Sequence, residues 1–135
     1  MIQNDRRRGS AMVEMVIILP ILAILLFATI EFGIALQRWQ IVSNAAREGV
    51  RANVVAACDP GTADARARAI VDNYVSVAGL SPSDVDVDPS NLCGDTGTFA
   101  TLTVRHDFPL AIVGGFLPAV GTSVPLTGAA TMRNE

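Results

Sequence analysis

The chain has 135 residues, of which 10 are basic and 13 acidic, for a net charge of −3, and half of them are hydrophobic. Every basic residue is arginine, and beyond the first quarter the acids outnumber them, so no basic face is available for a nucleic-acid partner and none is expected. The length allows one small domain, and the hydrophobic residues are concentrated between positions 15 and 36, so the average describes neither part of the chain.

In chain order, Arg6, Arg7 and Arg8 come first, followed by Gly9, Ser10 and a stretch from Ala11 to Leu36 whose only charges are Glu14 and Glu31. About 26 residues at about 1.5 Å each are enough to cross about 30 Å of hydrocarbon, which predicts a transmembrane helix over residues 10–36. The three arginines place the amino terminus in the cytoplasm by the positive-inside rule, leaving residues 37–135 as an extracytoplasmic head and residues 1–9 as a basic leader. A buried helix of a soluble protein is a poor alternative, because about 99 remaining residues are too few to wrap a helix that is apolar on every face. A cleaved secretory signal would have an apolar core of about 7–15 residues, and this stretch is longer and is closed by no convincing small-x-small cleavage site. Pro20 removes one backbone donor and frees the carbonyl of Val16, so a local loosening is expected there.

An ionised carboxylate at bilayer depth costs about 2.5–3.5 kcal/mol, so Glu14 and Glu31 each require an account. Glu14, close to the cytoplasmic edge, can snorkel to the interface or pair with a cation. Glu31, about 25 Å further along the helix, can snorkel at the outer edge or meet a neighbouring subunit. Trp39 follows the apolar run, where its ring suits either the membrane interface or packing against the head.

Beyond the span, Gln37 to Ala57 continues as a helix, favoured by Ala45, Ala46, Ala52, Ala56 and Ala57 and by the spacing of Arg47, Glu48 and Arg51. Ile70, Tyr74 and Val77 at helical spacing, with Gly79 as the stop, predict a second helix over residues 63–78. The alternation in SDVDVD predicts a short strand over residues 83–88 with an acidic solvated face. A calcium loop starting at Asp84 would want glycine at its sixth place and glutamate at its twelfth but has Pro89 and Asp95, so no metal is assigned. Residues 98–108 alternate Ala100, Leu102 and Val104 with Thr101, Thr103 and Arg105, and residues 123–133 form a plausible partner, which together predict a small antiparallel sheet packed on the long helix. The apolar PLAIVGGFLPAVG, residues 109–121, is expected either to fold over the core or to offer a contact patch. Cys58 and Cys93 are too far apart in sequence for a redox or zinc pair; in an exported head a disulfide is the natural reading. His106 lies beside Asp107 but outside any recognisable nucleophile motif, and is expected to be a surface strand histidine.

Gly9, Ser10 and Glu14, with the glutamate as the fifth residue counted from the serine, resemble the cleavage and assembly signature of type IV pilins. The proline in VEMVIILP, the IEFG at the end of the apolar run and AAREGVR at Ala45–Arg51 narrow the resemblance to the TadE-like family of the tight-adherence (Tad/Flp) pilus system. The closing LTGAATMRNE is similar to the ends of such proteins. The resemblance implies an α+β, type IV pilin-like fold, with a long amino-terminal helix, a second helix and a small antiparallel sheet. It also implies a non-enzymatic pseudopilin or minor pilin, cut by a prepilin peptidase after Gly9 so that residues 1–9 are released and Ser10 becomes the amino terminus. The new ammonium and the Glu14 carboxylate would offset each other's desolvation, and between subunits the pair would serve as a register device, with Pro20 and Glu31 as further assembly positions. The implied partners are membrane lipid, the peptidase, other pilin and minor pilin subunits and the assembly platform; no cofactor is implied. Met15 stands where many substrates of this peptidase carry an aromatic. An uncleaved single-pass anchor in the inner membrane, presenting a binding or scaffolding head, is the second reading.

Overall fold

A computed structural model describes residues 3–55, 58–116 and 121–134, with helical side chains described from Met12 onward and that of Val55 left aside. The order of elements is α1 (Gln3–Val55), α2 (Ala63–Val77), a 3-10 turn (Pro82–Asp84), β1 (Val85–Ser90), β2 (Phe99–Pro109), α3 (Val113–Phe116) and β3 (Ser123–Arg133). The long helix, the second helix and the antiparallel sheet are those the sequence predicts. By its contacts the chain divides into two compact units, one made of Met1–Ile34 with Leu110–Thr122, the other of Ala35–Pro109 with Ser123–Glu135.

In the second unit, α1 buries Val42, Ala45, Ala46, Gly49, Val50 and Asn53, a stripe at the three- and four-residue spacing of one helix face. Ala63, Ala67, Val71 and Val75 form the matching stripe on α2, and these meet Val87, Ala100, Leu102, Val104 and Ala130 from the sheet in one cluster. Alanine and glycine at the contacts let the backbones approach closely. A Cβ at Gly128 of β3 would stand 2.6 Å from both the N and the Cα of Ser43. One turn earlier on α1, Trp39 Nε1 donates to the carbonyl of Thr127 at 3.1 Å, so of its two expected settings the indole takes the one against the head. Arg38 donates to the carbonyl of Gly79 at 3.1 Å, taking up an acceptor just beyond the end of α2.

The sheet order is β1-β2-β3, antiparallel throughout, with Val87 opposite Val104 and Leu102 opposite Ala130. The strand expected at 83–88 begins two residues later and runs to Ser90, because Pro82 opens the 3-10 turn instead. Pro89 is accommodated because β1 lies at the edge of the sheet, where a missing donor on the open side costs nothing. His106 is not on the surface as expected. It is buried, and its Nδ1–H donates to the carbonyl of Asp84 at 2.9 Å, pinning the start of β1 to β2.

Cys58 and Cys93 are joined in a disulfide, with their Cα atoms 5.6 Å apart across a separation of 35 residues. The bridge ties the segment after α1 to the turn between β1 and β2. Asn134 holds the same turn from the other side, donating through Nδ2 to the carbonyl of Asn91 at 3.2 Å and to Thr98 Oγ1 at 2.9 Å. The core is built mainly from alanine and valine, so the cross-link is a large share of the head's stability. Cys58→Ser is expected to lower the unfolding free energy by about 3–4 kcal/mol, read as a fall in the urea midpoint of the oxidised protein, with no further fall on adding reductant.

Candidate functional site

The first unit is built on the amino-terminal part of α1. Among the described residues this is one helix long and apolar enough to cross a membrane, with a mean hydropathy of 2.7 in its most apolar window and none of that window buried. Val16, Ile17, Leu19, Ile21, Leu25 and Phe32 are all exposed, a helix apolar around its whole circumference. The helix continues through Pro20 without a break in its assignment. Thr29 donates its hydroxyl to the carbonyl of Leu25 at 2.8 Å, which satisfies that polar side chain within its own helix.

Of the residues singled out from the sequence, Gly9 and Ser10 fall in the α1 backbone. Their surroundings and the side chains of Arg6, Arg7 and Arg8 lie outside the described residues. Glu14 is exposed on α1. It stands one helical turn, about 6 Å, beyond Ser10 and on the same face, so a charge at position 10 and the carboxylate at 14 share one side of the helix.

Glu31 does not snorkel free: it is 6% exposed and bonded within its own chain. Its Oε1 accepts from the backbone N–H of Ile112 at 3.0 Å and its Oε2 from that of Val113 at 2.8 Å. These amides open α3, so they are among those a helix leaves without an internal partner. The carboxylate thus meets two donors in a charge-assisted pair of bonds, the stronger kind. The apolar segment that the sequence left open between a fold over the core and a contact patch is, in part, a compact loop held to α1 at this position. Sequence reasoning missed Ile112 and Val113 because backbone donors leave no trace in side-chain identity. The available signal was the coincidence of one intramembrane acid with one uncharged, glycine-containing loop.

In the second unit, an open cleft beside β1 is lined by Asp84, Asp86, Arg105, His106 and Asp107 among others. The ring of His106 is engaged through Nδ1 with a backbone carbonyl, so the hydrogen bond it makes is structural.

The family model described as TadE-like protein matches residues 9–51. No curated protein and no solved structure matches the chain. The matched stretch begins at Gly9, takes in Glu14, Pro20 and Glu31, and ends at Arg51, two residues beyond the glycine that packs α1 on the head. Over residues 9–51, along the long helix α1, the chain carries a TadE-like segment.

Proposed function

We propose that the protein is a minor pilin or pseudopilin, held in the inner membrane by α1 with its amino terminus in the cytoplasm, processed after Gly9 and passed from the membrane into a Tad-type pilus or its priming complex. The observation that carries this reading is the TadE-like match at residues 9–51, on a helix whose apolar surface is exposed all round. A helix of that composition is stable either in lipid or packed among like helices, and a subunit that moves from a bilayer into a filament core exchanges the first for the second. The role is structural rather than enzymatic, with lipid, the peptidase, other pilin and minor pilin subunits and the assembly platform as partners.

Within this reading Glu14 is the residue that discriminates correct from incorrect docking. An incoming subunit's Ser10 ammonium finds a carboxylate at one register, and a slipped subunit buries both charges unpaired, which costs several kcal/mol. Deleting the gene in a Tad-piliated cell is expected to abolish surface pili, with restoration by the wild-type chain and recovery of the tagged chain in the sheared pilus fraction or with the assembly platform. Normal piliation of the deletion strain would contradict the reading.

A further inference from the structure

Leu110–Thr122 connects β2 to β3 and carries no charged side chain. The segment groups with the amino-terminal part of α1. Its base is closed by the N–H of Leu110 donating to the carbonyl of Thr122 at 2.9 Å. Gly114 is packed inside it, since a Cβ there would meet the carbonyl oxygen of Gly121 at 2.8 Å and Leu110 Cβ at 3.3 Å. The described residues, 110–116 and 121–122, therefore form a small lobe closed at its base. Its outer side presents Ala111, Gly115 and Phe116, the last 64% exposed.

Two observations set where the lobe lies and what surrounds it. It is bonded to α1 at Glu31, which has exposed apolar residues on both sides along the helix, Phe27 and Ile30 before it and Phe32 and Ile34 after it. A segment fixed at that level is at the depth of the apolar helix itself. Four of its described backbone N–H groups are also paired within the chain: Leu110 N–H goes to Thr122, Phe116 N–H to the carbonyl of Ile112, and the N–H groups of Ile112 and Val113 to Glu31. Irregular backbone in contact with lipid is tolerated only when its polar groups are satisfied internally, and Glu31 satisfies two that no backbone carbonyl takes up. Water would have satisfied them at no cost, so an acid placed within an apolar run for this purpose is expected only where water is scarce.

We propose that Leu110–Phe116 is a lipid-seated clip: it rests in the outer boundary of the bilayer that α1 crosses, with Phe116 among the acyl chains, and Glu31 fixes its depth. The proposal rests on the membrane-spanning reading of α1. It gives Glu31 a positioning role distinct from that of Glu14.

The test uses the full chain reconstituted in phosphatidylcholine–phosphatidylglycerol vesicles, with Trp39→Phe removing the native indole and Phe116→Trp placing a reporter on the lobe. Phe27→Trp in the same Trp39→Phe background reports insertion of the helix. The expected result is blue-shifted emission from both reporters and loss of most of it, at both positions, when the lipids carry brominated acyl chains. Adding Glu31→Gln, which replaces one acceptor by an NH2 group, is expected to red-shift the Phe116→Trp emission and relieve its quenching while leaving the Phe27→Trp signal unchanged. Quenching at position 27 but not at 116 would overturn the clip and leave the membrane span standing, whether the emission at 116 is red-shifted, as in water, or blue-shifted, as against a second copy of the chain. Quenching at neither position would overturn the span and the clip with it. Quenching at 116 that is indifferent to Glu31→Gln would remove Glu31 from the proposal.

Discussion

Gly128→Ala is expected to lower the stability of the head by about 3 kcal/mol, the upper part of the range for overpacking a filled site. The added methyl would stand 2.6 Å from the N and Cα of Ser43 and 2.8 Å from the carbonyl carbon of Val42. All three neighbours are backbone atoms of α1, so no side chain can rotate away, and the only relief is separation of β3 from the helix. That separation would also draw Thr127 away from Trp39, whose Nε1 donates to its carbonyl. For a folding unit of this size about 3 kcal/mol corresponds to a fall in midpoint of roughly 12–24 °C. Thermal unfolding of the full chain in detergent micelles, followed by the intrinsic fluorescence of Trp39, measures it. Gly33→Ala is the control: a Cβ there meets nothing within 4 Å, so the midpoint is expected to stay within a few degrees of the wild type. A Gly128→Ala protein as stable as the control would mean that the helix–strand approach is looser than described.

Glu14→Gln is expected to reduce incorporation of the subunit by about two to three orders of magnitude while leaving membrane insertion intact. The substitution keeps the size of the side chain and removes the charge, so under the proposed function what is lost is the carboxylate partner of the Ser10 ammonium. Leaving one member of a desolvated pair unpartnered costs about 3–5 kcal/mol, and about 1.4 kcal/mol is a factor of ten in an equilibrium. Insertion itself should be unharmed or improved, since a neutral amide is cheaper to place near the bilayer than a carboxylate. The measurement is the ratio of tagged chain in the pilus or platform fraction to that in the membrane pool. Normal incorporation of Glu14→Gln would remove Glu14 from the mechanism.

Much of the fold was legible because it is written in periodicities. The apolar run names α1, the helical spacing of Ile70, Tyr74 and Val77 names α2, and the alternation from Ala100 to Val104 names β2, whose inner residues Ala100, Leu102, Val104, His106 and Phe108 are buried at period two. Period-two burial also explains the one histidine: position 106 falls on the inward parity, so its ring goes inside whatever its polarity, provided a carbonyl such as that of Asp84 is there to accept its proton. Strand β1 was displaced because alternation alone does not say where pairing begins, and the 3-10 turn at Pro82–Asp84 takes the first residues of the pattern.

The candidate site was legible in a different sense. Gly9, Ser10 and Glu14 carry a motif, so residue identity and spacing suffice to point at them. Glu31 has no such motif. Its partners are the amides of Ile112 and Val113, 81 and 82 positions away, and no local pattern connects an acid to backbone donors at that range. Asn134 is a similar case, holding the turn at Asn91 and Thr98 through contacts that only the closed sheet brings together. The sequence reports which faces are apolar; the partners of buried polar groups are set by the tertiary fold.

The central claim, that this chain is a pilin-type subunit matured by cutting after Gly9, is tested most directly by the intact mass of the protein extracted from membranes of cells that contain the prepilin peptidase. The predicted result is a chain lacking residues 1–9 and beginning at Ser10, alongside an unprocessed chain when the peptidase is absent. A chain that keeps its residues 1–9 in the presence of active peptidase would contradict the claim and leave an uncleaved single-pass anchor as the account of the protein.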